Sequence, residues 1–554
     1  MKLARVFQDY MVLQRRMPIC IWGTCDEAWT IPVRLNGKEI CTVELTSGEF
    51  AFQIPAQEAM EDAVLEIGPV QLRHVDIGEV WVAGGQSNME FMLQYDRHGA
   101  EEISSANDLH LRTYTVGQYS FSGEREMGYK LWNPWDHWVP FTPEHARELP
   151  AVAIYFAKEL RQQGVPVGIL NCSWGGTTAS AWMPKDLLRT DPELRIYTDE
   201  FDAMVEKLDM ERFRLIRSIV RPAMASPDSQ KMMSMILGRT FHPSELQKAM
   251  MAAVQANASE LSPTPRMELP DGLDLTKLSQ AELMQEGPGD KSEPGSLYEN
   301  MLKEILGFSV QGVIWYQGES DEKKANLYSR LFAAMINCWR NGWRERNPAQ
   351  QRLPFLFVQI APYGVWMSNT SENFPQLRHQ QQIVADTVED AYMACITDAG
   401  NVYDIHPKEK GPVGHRLALL ARKYVYGDHA LLADPPRAVD AERTADFLQI
   451  RFSNGKGLYI TARDFESYNG FPVSDIHPEL LPSVLGGICG LEVIADGRKI
   501  SAAECTVAEE RLQIRSEELR NVRSVQVRFA QTPFYQVNLY NCEENPAMPF
   551  ELSV

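Results

Sequence analysis

Short apolar runs alternate with longer helical patterns between about residues 77 and 430, and this alternation constrains the fold more than any other feature of the chain. The apolar runs contain Val80, Val167, Val313, Leu356 and Met393. Apolar residues at helical spacing lie between them, for example over residues 151–162 and 327–343. Because helices that link successive strands make crossover connections, the pattern predicts an α/β core with a mainly parallel sheet.

The first apolar run ends in a glycine pair that is followed by Gln86 and Ser87. Residues 80–83 predict a strand buried on both faces, and the glycine pair permits a tight turn that exposes the serine hydroxyl. Ligands bind at the carboxyl ends of strands in an open parallel sheet. A serine before an apolar run is also typical of an ordinary helix N-cap, so Ser87 alone does not indicate chemistry.

Three further segments place small or polar residues beyond predicted strands. They are N-C-S-W-G-G-T-T from Asn171, V-I-W-Y-Q-G-E-S-D from Val313, and D-I-H-P over residues 404–407. A serine is a weak nucleophile unless a base removes its proton, and His406 in the last segment is a candidate base. The joint occurrence of these segments is hard to explain by core packing and favours one shared crevice.

These segments resemble the SGNH-hydrolase superfamily, and specifically its sialate O-acetylesterase-like branch of carbohydrate acetylesterases. The resemblance extends over most of the chain except about residues 187–290, and it implies a flavodoxin-like three-layer hydrolase core. It places the nucleophile at Ser87, the general base at His406, and the oxyanion donors at Ser87, Gly176 and Gln317. It therefore implies a serine esterase that removes O-acetyl groups from carbohydrates through an acetyl-enzyme intermediate on Ser87.

Two positions depart from the superfamily's pattern. The third block carries glutamine and glutamate in place of an asparagine, and Gln317 can still donate through its side-chain amide. The usual acid lies three residues before the histidine, where this chain has a tyrosine. The nearest acid is Asp404, which bonds His406 only if the loop bends. We predict Asp404 as the acid of the triad; Glu319, Asp398 or a backbone carbonyl remain alternatives.

The formal net charge of −20 limits the partners of the chain. Nucleic acids and anionic membranes bind basic surfaces, so neither is an expected partner. The expected substrate is a small acetylated carbohydrate, first of all a sialic acid O-acetyl ester. Because an anionic sugar needs local cations against an acidic background, acetylated xylo- or manno-oligosaccharides are the alternative. A non-catalytic glycan-binding protein is the alternative from another class.

Neither a metal nor a cofactor is predicted. The eleven histidines show no H-E-x-x-H spacing, and the glycine-containing blocks do not match a dinucleotide fingerprint. The first ten residues lack the apolar run of a secretion signal, and the nine cysteines form no C-x-x-C pair. These features lead us to expect a cytoplasmic protein with free thiols.

The length of 554 residues predicts several folding units. Residues 1–76 have the pattern of short strands, with an Asn-Gly hairpin turn at 36–37, and predict an N-terminal β-sandwich. Residues 77–430 predict the hydrolase domain, with a helical insertion at about 187–290 that is a lid, a dimer contact or a packed helical hairpin. Residues 431–554 predict a C-terminal β-rich domain. A homo-oligomer is left open.

Overall fold

The computed structural model describes residues 1–125, 137–224, 227–246, 248, 279, 282, 285–367, 369–444 and 447–554. Its central sheet has the spatial strand order Val139–Phe141, Asp108–Thr115, Val167–Ser173, Val70–Gly85, Gly312–Tyr316, Phe355–Val358 and Ala391–Ala394. The first pair is antiparallel, and every later pair in this order is parallel. The mainly parallel sheet predicted from the sequence is confirmed.

The long strand Val70–Gly85 lies where the strand order reverses. After it, the chain adds Asp108–Thr115 and Val167–Ser173 on one side, and Gly312–Tyr316 and the later strands on the other. Ligands of open parallel sheets bind outside the carboxyl ends of the strands at such a switch point. Ser87 follows the carboxyl end of this strand, so the fold places it at the expected crevice.

Helices cover both faces of the central sheet. The main ones are Ala151–Arg161, Tyr328–Arg346, Phe374–Thr387 and Gly411–Leu420, and shorter ones span Ser87–Glu90, Gly99–Ser105 and Pro143–Ala146. The first and the last main helix pack with Trp81 and Ala83, whereas the middle two pack with Val80 and Val82. Because successive side chains of a strand point to opposite faces, the long strand is buried on both, as its unbroken apolar run predicts.

The N-terminal region is rich in strands. They are Lys2–Leu3, Val12–Gln14, Ile19–Cys25, Trp29–Leu35, Lys38–Leu45, Gly48–Ile54 and Met60–Ile67. The predicted hairpin is confirmed, since its two strands pair around Asn36 and Gly37, whose φ angles are 51° and 77°. Met60–Ile67 pairs with the first half of the long strand Val70–Gly85. This single strand crosses the predicted boundary at residues 76 and 77. The domain boundaries themselves stay a prediction.

The predicted insertion is helical where the structure describes it. Its helices are Lys185–Thr190, Arg195–Val205, Met210–Met224 and Pro227–Leu237, and residues 249–278 lie outside the described part of the chain. None of the helices in the described residues has both the length and the apolar character that crossing a membrane requires.

The C-terminal region contains two four-stranded antiparallel sheets. Their strands are Arg437–Arg443, Phe447–Ser453, Leu491–Ala495, Arg498–Lys499, Glu504–Ala508, Arg511–Arg515, Val525–Phe529 and Phe550–Ser553. They share one apolar cluster that also includes Val402 and Tyr403, which immediately precede Asp404. The C-terminal region therefore packs against the segment that carries the predicted acid and base.

Candidate active site

The turn after the long strand presents Ser87. Gly85 has a φ of +137°, and a Cβ atom there would lie 2.1 Å from the Tyr316 carbonyl oxygen, so only glycine fits. The backbone N–H of Gln86 donates to that same carbonyl at 3.0 Å, and the N–H of Trp174 donates to the Gly85 carbonyl at 3.0 Å. Neighbouring strands thus fix the turn from both sides, and Ser87 begins the short helix that follows.

His406 lies beside Ser87. Its Nε2 atom is 2.9 Å from Ser87 Oγ, and only 3% of the residue is exposed. On the other side of the ring, Nδ1 lies 3.1 Å from Asp404 Oδ1. A tautomer with Nδ1 protonated donates to the carboxylate and leaves Nε2 to accept from the serine hydroxyl. The structure therefore brings together the three residues predicted as a triad.

The loop bends in the way that the spacing of Asp404 requires. Asp404 Oδ1 also accepts the backbone N–H of His406 at 2.8 Å, which folds the carboxylate back toward the ring two residues later. The alternative acids have other partners: Asp398 forms an ion pair with Arg416 at 2.7 Å. Of the candidates left open by the sequence, Asp404 has the geometry to orient His406.

Glu319, the other alternative, is linked to the His406 loop through Asn88. Its Oε1 accepts from Asn88 Nδ2 at 2.5 Å, and the same amide nitrogen donates to the carbonyl of Ile405 at 3.1 Å. Asn88 Oδ1 accepts from Lys410 Nζ at 2.6 Å. Glu319 thus acts on the His406 loop through Asn88 rather than on the imidazole.

Gln317 does not fit the predicted role of oxyanion donor. The residue is fully buried, and its Nε2 atom donates to the Thr177 carbonyl at 3.1 Å and to Asp321 Oδ2 at 2.6 Å. Its Oε1 accepts from the Tyr328 hydroxyl at 2.9 Å. Both amide hydrogens are therefore used within the protein, and Gln317 is absent from the residues that line the pocket. In this structure Gln317 joins the loops around the site instead of facing substrate.

The glycine pair of the second block lies against Ser87. A Cβ atom on Gly175 would lie 3.1 Å from Ser87 Cβ, and its N–H already donates to Glu90 Oε2 at 2.6 Å. Gly176 has a φ of +72° and lines the pocket. The N–H of Gly175 is thus engaged within the protein, and the role of the Gly176 N–H as an oxyanion donor stays a prediction.

Three residues of the site were missed in the sequence: Asn88, Lys408 and Lys410. Asn88 directly follows Ser87, the predicted nucleophile, and the two lysines follow His406 at alternate positions in an acidic chain. Lys408 Nζ lies 2.8 Å from Asp404 Oδ2. The signal that could have found the lysines is this paired spacing after D-I-H-P.

Burial and charge set the protonation of the site. Burial lowers the pKa of His406 below its ordinary value, although Asp404 opposes the effect, and Lys408 and Lys410 lower the pKa further. Burial alone would raise the pKa of Asp404, but Lys408 and His406 bring it below its ordinary value. Burial raises the pKa of Glu319 and lowers that of Lys410 to about 7. A neutral His406 beside an ionised Asp404 is the state suited to a general base.

A pocket of about 890 Å³ opens beside Ser87 and His406. The helical insertion forms one wall of it, through Tyr197, Glu200, Phe201, Met204, Met233 and Leu237. Trp174 and Trp366 also line the pocket, and the ring of Trp366 stands edge-on to His406 with centroids 5.0 Å apart. Aromatic side chains on the wall of a pocket suit the apolar faces of sugar rings.

Most of the charged side chains that line this pocket, among the described residues, are acidic. The acids are Glu90, Glu200, Glu286, Glu319, Asp321 and Glu322, and the cations are Lys291, Lys323 and Lys324. Lys291 Nζ donates to the Gly175 carbonyl and lies near Glu90. No cluster of three or more His, Cys, Asp or Glu side chains suited to a metal ion occurs in the part of the chain that the structure describes.

Comparison with known proteins identifies related sequences over nearly the whole chain. Residues 282–416 match the family described as carbohydrate esterase, sialic acid-specific acetylesterase. The sialate O-acetylesterase of Rattus norvegicus is 23% identical over 535 residues, which cover 89% of this chain and 86% of that protein. The human sialate O-acetylesterase is 20% identical over 521 residues, 88% of this chain and 83% of that protein. The crystal structure of a carbohydrate acetylesterase from Xanthomonas citri is similar over 99% of both chains, with 26% identity and a TM-score of 0.67.

Proposed function

This chain belongs to the sialate O-acetylesterase-like carbohydrate esterases, and on that premise we propose that it hydrolyses acetyl esters of sugars with Ser87 as nucleophile. The observation that carries the proposal is the 2.9 Å contact between Ser87 Oγ and His406 Nε2 beside the pocket. We assign the central sheet with its helices to the SGNH three-layer arrangement. The β-rich regions 1–76 and 431–554 are then flanking domains.

In the proposed reaction, Ser87 Oγ attacks the acetyl carbonyl while His406 Nε2 takes the hydroxyl proton. Asp404 accepts from Nδ1–H, which holds the ring in place and stabilises the imidazolium that forms. The backbone N–H groups of Ser87 and Gly176 stabilise the oxyanion. His406 then protonates the departing sugar oxygen. A water molecule, activated by the same histidine, releases acetate from Ser87 and restores the enzyme.

The first substrate to test is a sialic acid O-acetyl ester, because the matched family is described as sialic acid-specific. A sialate carboxylate requires a cationic partner close to the acetyl site. Lys291 is such a cation, since a Cβ atom on Gly176 would lie 3.4 Å from its Nζ. We assign Lys291 as the carboxylate partner in this case.

The charge of the pocket favours a second candidate, neutral acetylated xylo- or manno-oligosaccharides. Acidic side chains outnumber the lysines in the lining, and Lys324 already forms an ion pair with Glu200 at 2.6 Å. Like charges in a pocket raise the cost of binding an anion. A neutral sugar needs no such compensation, and its hydroxyls can pair with the carboxylates.

One experiment tests both the activity and the substrate. Acetate release is measured from p-nitrophenyl acetate, O-acetylated sialic acid and acetylated xylo- and manno-oligosaccharides, with the wild type, Ser87→Ala and Lys291→Met. We expect Ser87→Ala to be inactive on all of them, and its full activity would refute the proposal.

If sialate is the substrate, Lys291→Met raises KM for sialate alone. Equal KM values for Lys291→Met and the wild type on sialate, with higher turnover of neutral sugars, would select the second candidate. A glycan-binding protein would hydrolyse none of these esters.

A further inference from the structure

We infer that Lys408 is a positioning residue that joins the catalytic acid to the helical insertion, an inference that rests on the proposed serine mechanism. Lys408 Nζ lies 2.8 Å from Asp404 Oδ2 and donates to the carbonyl oxygen of Leu237 at 2.6 Å. Leu237 is the last residue of the insertion helix Pro227–Leu237. One ammonium group therefore contacts both the triad and the wall of the substrate pocket.

On the side of the triad, Lys408 fixes the rotation of the Asp404 carboxylate. Oδ1 accepts from the backbone and the ring of His406, and Oδ2 faces Lys408. Asp404 is 3% exposed, so water cannot replace the ammonium easily. Without Lys408, a buried carboxylate oxygen loses its partner, and the carboxylate is expected to rotate or to take up a proton.

On the side of the insertion, Lys408 caps a helix end that shapes the pocket. The last carbonyl groups of a helix have no partner within it, and the end of the helix favours a positive charge. Met233 and Leu237 of this helix line the pocket. A second, uncharged contact holds the same helix, where Ser234 Oγ lies 2.8 Å from the Tyr95 hydroxyl. The insertion is thereby a pocket wall attached to the catalytic acid.

Lys408 also contributes to the electrostatic environment of His406. The charged or polar groups around His406 come from three elements. Its own loop carries Asp404, Lys408 and Lys410. The short helix Ser87–Glu90 carries Ser87 and Glu90, and the loop after Gly312–Tyr316 carries Glu319. The insertion helix Pro227–Leu237 and the Trp366 segment contribute the uncharged residues Met233, Leu237 and Trp366 to the same pocket. Of the two lysines that lower the pKa of His406, Lys408 has the larger effect.

The test compares Lys408→Met, Lys408→Arg and Ser234→Ala in the full chain, with p-nitrophenyl acetate and an acetylated oligosaccharide as substrates. Lys408→Met should lower kcat by about 10- to 100-fold, because small displacements of a catalytic group have effects of this size. It should also move the acid limb of the kcat/KM profile upward by about one pH unit, since a cation near His406 is lost. Lys408→Arg keeps the charge and should restore the position of the acid limb.

Ser234→Ala is the matched control, because it loosens the same helix without changing a charge. It should raise KM for the oligosaccharide and leave the acid limb in place. If Lys408→Met also changes only KM, or if its acid limb coincides with that of the wild type, Lys408 has no positioning role. Ser87→Ala, assayed alongside, separates the two claims. If it keeps wild-type activity, the serine mechanism fails; if it is inactive while Lys408→Met behaves like the wild type, only the present inference fails.

Discussion

Nε2 of His406 lies 2.9 Å from Oγ of Ser87, although 319 residues separate them in the chain. The long strand Val70–Gly85 delivers the serine, and the loop after Ala391–Ala394 delivers the histidine. Both strands end at the same edge of a parallel sheet, which is why sequence-distant residues meet there. The proposed chemistry depends on this contact.

Asp404→Asn should reduce kcat for acetate ester hydrolysis by about 10³- to 10⁴-fold with the fold intact, because an amide no longer fixes the tautomer with Nδ1 protonated. Asp398→Asn is the matched control. Its carboxylate pairs with Arg416 instead of His406, so stability falls while the folded enzyme keeps its kcat. Steady-state kinetics with thermal unfolding measure both. A larger loss of kcat in Asp398→Asn than in Asp404→Asn would contradict the assignment.

Gln317→Ala should destabilise the protein more than it slows the reaction. Its amide bonds Thr177, Asp321 and Tyr328, and each orphaned buried group costs about 1–3 kcal/mol of unfolding free energy. Gln350→Ala removes a similarly buried glutamine whose amide bonds the Val310 backbone, and it should cost similar stability. If Gln317→Ala keeps its melting temperature but loses about 10²-fold in kcat, it is an oxyanion donor after all.

The comparison of these two residues shows how far the sequence predicts the site. The sequence places Asp404 two residues before His406, and the bend that brings its carboxylate to the ring comes from a local hydrogen bond between its side chain and the backbone N–H of His406. The direction of the Gln317 side chain has no such local cause. Its direction depends on Asp321 and Tyr328, which pack around it only in the folded chain. Motifs place residues at the crevice, whereas tertiary packing decides which side chains face it.

The same distinction between local sequence signals and tertiary packing applies to the fold. Alternating apolar runs and helical patterns were sufficient to predict the parallel sheet, because burial on both faces leaves a local signature in each strand. The pairing of the long strand with both Met60–Ile67 and the central strands has no such signature, since it depends on distant partners. The same holds for the insertion, whose helices were predicted but whose position along the pocket was not.

The activity should persist to mildly acidic pH. The base must be neutral, and burial lowers the pKa of His406 below its ordinary value of about 6.5, so it stays neutral at lower pH than a free histidine. We expect the acid limb of the kcat/KM profile with p-nitrophenyl acetate to have its midpoint below pH 6.5. A midpoint at or above about pH 7 would show that Asp404 outweighs burial in setting this pKa.

Phe201→Ala should impair binding of sugars but not the acetyl chemistry. Phe201 lines the pocket from the helix Arg195–Val205, where its ring adds apolar surface for a sugar. KM should rise for an acetylated oligosaccharide and stay unchanged for p-nitrophenyl acetate, which has no sugar ring. Phe213→Ala is a control in the same insertion, since Phe213 is outside the pocket lining. Equal effects of both variants on KM would indicate a general loosening of the insertion.

Trapping the acetyl-enzyme tests the role of Ser87 most directly. The wild type and Ser87→Ala are mixed with an activated acetate ester, quenched in acid within the first turnover, digested and analysed by mass spectrometry. We expect one added acetyl group on Ser87 in the wild type, and neither acetylation of this peptide nor turnover in Ser87→Ala. Acetyl transfer to another residue, or turnover by Ser87→Ala within about tenfold of the wild type, would contradict this role of Ser87.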